Sequence, residues 1–329
     1  METLLLEKKD YEAFITALIN WCEVISPVKK EVVRFKKIKN PSDVYLGKNS
    51  FFPVKEFFFR KKETIFKFKN NKISIPKLES PKRIFFGLRK CDLNAISHQD
   101  KVFMETVKDP YYISQRKNSY LIGYHCNEAP SKYCFCESMR LKDFFDLMLY
   151  DKHKDFFLVE VGSEKGKTLA KKFGKYLKRT DNKVSLEEKK IPGADRLPDS
   201  NIKDLYDNPG WQEGVDKCLS CTACTALCPT CYCFDLKDEV KARNLSEGER
   251  VRNWSSCQLK EFTMVAGSHV FREKREERFK HRIYHQLDYF REKYDVDLCT
   301  GCGRCIEGCP TRIDFVDIIN RMKQDKAKQ

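Results

Sequence analysis

No stretch of this chain is apolar for long enough to cross a bilayer, which takes about 20 consecutive, predominantly apolar residues. The most apolar segments, such as Phe144 to Tyr150, are short and broken by Asp146. The opening METLLLEKKDYEAF runs apolar only through Leu4, Leu5 and Leu6 before charge returns, so a signal peptide is not expected. A dinucleotide fingerprint GxGxxG is also missing, which argues against NAD or FAD on this chain. The stretch Gly162-Ser-Glu-Lys-Gly166-Lys167-Thr168 imitates a phosphate loop. It has three residues between the glycines where the motif needs four, and Val161 stands where glycine is required. The six histidines, at 98, 125, 153, 269, 281 and 285, are scattered, and no Ser/His/Asp arrangement accompanies them. These absences exclude a membrane span and leave no candidate catalytic residue.

Cysteine is what the chain has in excess, with 16 in 329 residues. In the soluble, cytoplasmic setting that the missing leader suggests, many cysteines argue for metal ligation over disulfides. Eight of them fall in two copies of one pattern, Cys218-x2-Cys221-x2-Cys224-x3-Cys228-Pro229 and Cys299-x2-Cys302-x2-Cys305-x3-Cys309-Pro310. This is the bacterial-ferredoxin run, and two copies imply two 4Fe-4S clusters. Three thiolates, each three residues from the next, can wrap one face of a cube. The fourth, set further along and stiffened by proline, points away to the other cluster. Cys218, Cys221, Cys224 and Cys309 are therefore expected to hold one cluster, and Cys299, Cys302, Cys305 and Cys228 the second. Zinc sites normally use separate CxxC pairs, so they fit this pattern poorly.

Basic residues outnumber acidic ones by 63 to 48, a formal net charge of +15, which raises nucleic acid as a partner. Each oxidised cluster with four thiolates adds about −2, so two or three of them lower the total to roughly +9 to +11. The remainder suits docking on an acidic protein surface. An iron–sulfur nucleic-acid binder, suggested also by the Arg-rich run at 272–282, is the reading from another class. It needs one structural cubane, whereas a relay needs several, so no nucleic-acid partner is expected.

Along the chain, Tyr11, Phe14, Ile15, Leu18, Ile19 and Cys22 form a helical stripe within residues 10–24, with Cys22 a plain core residue. Short β-rich runs follow at Val32–Phe35, Thr64–Phe68, Ile84–Leu88, Tyr120–Tyr124 and Phe157–Val161, with Asn70-Asn71 a turn. Helical stretches are read at Leu93–Met104, Asp143–Tyr150 and Lys165–Leu177. The expected architecture is an α/β or α+β domain over 1–180, a polar linker over 181–208, and a mainly helical dicluster ferredoxin domain over 209–329. The charged run FREKREERFKHRIYHQLDYFREKY at 271–294 is most simply a solvated helix.

The N-terminal part holds four further cysteines. Cys91 follows the strand RIFFGL, Cys126 ends YLIGYHC, and Cys134 and Cys136 form a tight pair just beyond. A third 4Fe-4S cluster and buried free thiols both fit that spacing. Asp92 reads as a helix N-cap. Cys231, Cys233 and Cys257 belong to no run and read as structural, with the first two close enough to a cluster to hydrogen-bond its sulfurs.

The segments FFGLRKCDLNAI (85–96), DPYY (109–112), the Cys126 to FCES stretch (126–138), VEVGSEKG (159–166), CPTCYCFD (228–235), GERVRNWSSC (248–257) and HVFREK (269–274) resemble the iron–sulfur beta subunit of cytoplasmic NiFe hydrogenases of the sulfhydrogenase type. The iron–sulfur subunit of anaerobic sulfite reductase is a close relative of that family. The resemblance runs from Ile84 to the C-terminus. It implies an electron-transfer subunit of an oxidoreductase complex, relaying between a NiFe hydrogenase catalytic module and an FAD/NAD(P)-reactive subunit, with no bond-making centre of its own. It also implies a third cluster on Cys91, Cys126, Cys134 and Cys136. The alternatives within the family are the electron-transfer component of a sulfite reductase and an electron feeder of a heterodisulfide-reductase-type complex.

Overall fold

A computed structural model describes residues 2–151 and 155–328; His153, one of the scattered histidines, lies outside the described residues. The strands are β1 (Glu2–Glu7), β2 (Glu23–Lys29), β3 (Val33–Lys37), β4 (Lys62–Lys69), β5 (Lys72–Ser74), β6 (Arg83–Leu88), β7 (Ser119–Tyr124), β8 (Leu147–Asp151), β9 (Phe156–Val161), β10 (Lys178–Arg179), β11 (Phe234–Lys241) and β12 (Asn244–Trp254). The helices are α1 (Tyr11–Trp21), α2 (Lys90–Asp100), α3 (Pro110–Lys117), α4 (Glu164–Lys172), α5 (Gln212–Lys217), α6 (Ala223–Ala226), α7 (Arg275–Tyr284), α8 (Phe290–Tyr294), α9 (Arg304–Glu307) and α10 (Phe315–Ala327). No helix among the described residues is long and apolar enough to cross a membrane.

An eight-stranded mixed sheet runs β10-β1-β9-β8-β7-β6-β2-β3, with β2, β6, β7 and β8 parallel and the outer strands antiparallel. Strand side chains alternate between faces. Ile84, Phe86, Leu147, Leu149 and Val159 pack with Phe14, Ile15 and Leu18 of α1 and Leu169 of α4. Phe85, Met148, Tyr150 and Leu158 pack with Leu93 and Ile96 of α2 and Tyr112 of α3 on the other side. This double cover corrects the reading of Asp143–Tyr150 as a helix. Burying a large apolar side chain contributes roughly 1.5–3 kcal/mol, against a few tenths per residue for helix propensity, so an unbroken apolar run belongs in a strand covered on both faces.

A second sheet, β11-β12-β4-β5, joins the two halves of the sequence. Residues 247–253 of β12 pair antiparallel with 62–69 of β4. The insert between the two cysteine runs is therefore not helical throughout, because its first third is a hairpin that leaves to complete a distant sheet. In the stretch expected to be a linker, Leu197, Ile202 and Leu205 pack against Trp211, Phe279 and Ile319. The charged run is not simply solvated either. Arg278, Lys280, Arg282 and Gln286 are buried together with Phe279, Ile283, Leu287 and Phe290.

Candidate metal centre

The two cysteine runs repeat one backbone conformation. In the first, Ser220 and Thr222 flank Cys221 with φ of 52° and 68°; in the second, Gly301 and Gly303 flank Cys302 with φ of 65° and 71°. Thr222 and Gly303 then cap the short helices α6 and α9, which carry Cys224 and Cys305. The same bonds recur around the sulfurs. The Ser220 amide donates to Cys218 Sγ at 3.4 Å and the Gly301 amide to Cys299 Sγ at 3.4 Å. Thr230 Oγ1 lies 3.1 Å from Cys228 Sγ, and Thr311 Oγ1 lies 3.4 Å from Cys309 Sγ. Left-handed backbone costs of order 1–3 kcal/mol at a non-glycine residue. The first run accepts that cost at Ser220 and Thr222, whereas the second has a further reason for glycine. A Cβ at Gly301 would stand 2.5 Å from the Phe135 backbone, and one at Gly303 would stand 2.6 Å from the Tyr133 backbone.

All eight thiols of the two runs line one cavity, with Gln258, Phe279, Arg282 and Gln286 completing its wall. Among the described residues, no three Cys, His, Asp or Glu side chains close on a point tightly enough for a single metal ion. Eight thiols around one common space are the donor set that two four-iron clusters need. The polar lining points the same way. Ser220 Oγ, Thr300 Oγ1 and Arg282 Nε are buried beside the cysteines without a hydrogen-bond partner. Buried donors are nearly always satisfied, and the sulfides of a cluster are acceptors of the kind these three lack.

The four N-terminal cysteines, expected by resemblance to act together, do pack together. Cys91, Cys126, Cys134 and Cys136 form one buried group that also includes Cys302, Ile191 and Ala194. Cys91 sits in the first turn of α2, Cys126 follows β7, and the Cys134–Cys136 loop lies on the Cys302 loop, with the Phe135 amide donating to Gly301 O at 2.7 Å. Asp92 is not the N-cap of α2. It stands at the third helical position, receives the Arg89 amide at 3.4 Å, and pairs with Arg304 at 2.9 Å. Arg304 also donates from Nε to Ser50 O at 2.7 Å. The ion pair is buried where the N-terminal thiols meet the second run.

Burial pushes the Cys224 thiol up to about 11 and Cys134 up to about 12, and drives Cys299 and Cys305 upward as well. Thiolates here need compensating positive charge, which iron supplies on binding. The protein adds its own. Arg282 is buried, donates from Nη2 to Cys224 O at 3.2 Å, and faces Cys231, Cys228 and Cys305. Lys55 is 3% exposed and donates to Thr225 O at 3.1 Å and Cys231 O at 3.0 Å. Burial holds its ammonium below the usual lysine range. Against the upward pull of burial, a hydrogen bond from Cys231 and the charges of Arg282 and Lys55 hold Cys228 well below an ordinary thiol. Cys228 in turn acts electrostatically on Cys299, Cys302 and Cys305, the three leading cysteines of the opposite run.

Sequence reading missed Lys55, Arg282 and Gln286. Lys55 has no local signal at all. Arg282 and Gln286 flank the stripe Phe279, Ile283, Leu287 and Phe290, whose helical period was legible beneath the charge.

A family model for a 4Fe-4S dicluster domain matches residues 217–313. The chain is 32% identical, over 98% of its length and 99% of the relative's, to Sulfhydrogenase 2 subunit beta of Pyrococcus furiosus. It is 28% identical over 155 residues, 47% of this chain and 24% of the relative, to an uncharacterized iron-sulfur protein of Methanococcus maripaludis. No solved structure matches it.

Proposed function

Because the chain belongs to the family of the sulfhydrogenase beta subunit, with a 4Fe-4S dicluster domain over 217–313, we propose that it is a cytoplasmic electron relay holding three clusters. Cys218, Cys221, Cys224 and Cys309 hold the first, Cys299, Cys302, Cys305 and Cys228 the second, and Cys91, Cys126, Cys134 and Cys136 the third. In this reading residues 1–180 carry the third cluster and 209–329 the other two. When bound, the clusters supply one-electron redox steps. The observation that carries the reading is the joining of all twelve thiols into one connected group, through Cys302 and the glycines that let its loop lie on 133–136. A lone structural cluster would not need that contact.

The chain's own residues hold and insulate. Arg282 and Lys55 offset thiolate charge, and the amides of Ser220 and Gly301 steady the first sulfur of each run. The relay would run between NiFe hydrogenase catalytic subunits and an FAD/NAD(P)-reactive subunit. Of the basic run that suggested nucleic acid, Arg278, Lys280 and Arg282 turn inward while Lys274 and Arg275 stay exposed, which weakens that reading.

Iron counting tests the proposal. Anaerobically prepared, fully reconstituted chain is expected to carry about 12 irons; about 8 would remove the third cluster. Replacing Cys228 and Cys302 together by alanine should cost one cluster, about 4 irons, whereas Cys228 with Cys221 should cost two, about 8. Loss of only one cluster in the second pair would show that each run closes on itself. The isolated protein should accept electrons from a low-potential donor while evolving no hydrogen, and the native one should copurify with a flavoprotein.

A further inference from the structure

Packing gives the thiols an order. Cys302 belongs both to the cavity of the two C-terminal runs and to the buried group of Cys91, Cys126, Cys134 and Cys136. At the far end Cys221 is exposed, next to Leu219, which is 62% exposed. On the crossed assignment proposed above, the cluster of Cys299, Cys302, Cys305 and Cys228 is therefore the middle one, between the N-terminal cluster and the surface.

Two buried cations stand at that middle position. Arg282 lies in the last turn of α7 and donates from Nη2 to Cys224 O at 3.2 Å, while its Nε is buried without a partner at the wall of the thiol cavity. Lys55 lies close by, its ammonium 4.3 Å from the centre of the Trp254 ring. Among the described residues no carboxylate pairs with either side chain; Arg282 faces the thiols of Cys231, Cys228, Cys224 and Cys305 instead. Its charge acts on Cys228, Cys299 and Cys305, three of the four ligands assigned to the middle cluster. Arg304 provides the contrast. It is equally buried and faces Cys302 and Cys91, but Asp92 neutralises it at 2.9 Å. The same carboxylate opposes Arg89 at Cys126.

We propose that Arg282 raises the reduction potential of the middle cluster, so that an electron crossing the relay comes to rest there. The inference rests on the three-cluster, crossed-ligand reading above. Reducing a 4Fe-4S cluster with four thiolates adds one negative charge to about −2, and a fixed cation nearby stabilises the more negative form. Burial removes the water that would screen it. A guanidinium stays protonated at every pH a folded protein meets, so the bias is constant. No bond is made or broken; one electron arrives as one neighbour is oxidised and departs as the next is reduced. Solvent at the exposed end bears on the first cluster too, so the decisive comparison is one cluster with and without Arg282.

Potentiometric titration followed by electron paramagnetic resonance tests this on the full-length, reconstituted chain. Cys221→Ala with Cys309→Ala should remove the first cluster and leave about 8 irons. The signal absent from Cys228→Ala with Cys302→Ala identifies the middle cluster. In the Cys221 and Cys309 background, Arg282→Met should make that cluster about tenfold or more harder to reduce at a given potential, a fall in midpoint of about 59 mV for a one-electron couple. The N-terminal cluster should move less. Arg282→Lys, which keeps the charge, should recover most of the shift. An unmoved midpoint with iron intact, or a lysine variant that behaves like methionine, overturns the role of Arg282 and leaves the relay standing. Loss of about 8 irons from the Cys221 and Cys309 variant overturns the crossed assignment, and with it the placing of the effect on one cluster. Should Arg282→Met lose its iron, the wild type decides. With about one electron added per chain, the signal should be that of the middle cluster, and its appearance in either of the others overturns the proposal.

Discussion

At the scale of single residues, the centre depends on a few charges placed far inside. Arg304 and Asp92, 2% and 1% exposed, are each other's counter-ion at the junction of the N-terminal thiols and the second run. Removing one member of a buried pair typically costs about 3–5 kcal/mol, because the other is left charged and unpaired, whereas removing both can be nearly neutral. Arg304→Met is expected to lower the unfolding free energy measured in urea by that order and to reduce the iron content. Adding Asp92→Asn should recover most of the stability. A single variant costing under about 1 kcal/mol would show that the pair does not hold the two parts together.

At the scale of elements, α2 is the member that ties the sheet to the second cysteine run. Its His98 donates from Nδ1 to Leu298 O at 3.2 Å, one residue before Cys299. Burial lowers the His98 pKa to about 4, so the folded protein keeps the ring neutral where an unfolded chain would protonate it near 6.5. The unfolded state therefore binds more protons between those values, and stability is lost as pH falls from 6.5 towards 4. Each such histidine contributes a slope of about 1.4 kcal/mol per pH unit, and none above 6.5. His98→Gln keeps an N–H donor without the titration. Urea midpoints measured at pH 6.5 and 4.5 should fall less steeply in that variant than in the wild type; equal slopes would show that His98 is not held neutral. The Leu147–Asp151 strand in place of the expected helix shows where element type was hidden, whereas α7 is the helix expected and differs only in carrying arginines inside. A run buried on both sides has no periodicity to read, and charge at 271–294 masked a stripe that was present.

At the scale of the whole molecule, the dicluster part leans on the rest of the chain at three places. β12 borrows β4 as its neighbour, Gly301 and Gly303 rest on the 133–136 loop, and Lys55 reaches the backbone of Thr225 and Cys231. A fragment of residues 206–329 would lose all three supports. It is expected to unfold at low denaturant and to hold well under the about 8 irons that two clusters need. A fragment that kept them, with its hairpin protected from proteolysis, would show that the second sheet is dispensable.

The sequence by itself determined the cluster chemistry of the C-terminal third, because ligand spacing, the proline that follows, and the left-handed residues between cysteines act within a dozen residues of chain. It also carried four of the eight strands of the main sheet, β3, β6, β7 and β9, as short runs rich in β-branched and aromatic residues, which is a local signal. What only the tertiary structure decided is which distant groups meet those thiols. Lys55 bonds a carbonyl 176 residues away, and Arg304 bonds Ser50 across 254 residues. Cys91, Cys126, Cys134 and Cys136 face Cys302. No local pattern records contacts of that range; they follow from how two sheets and two cysteine runs share one interior.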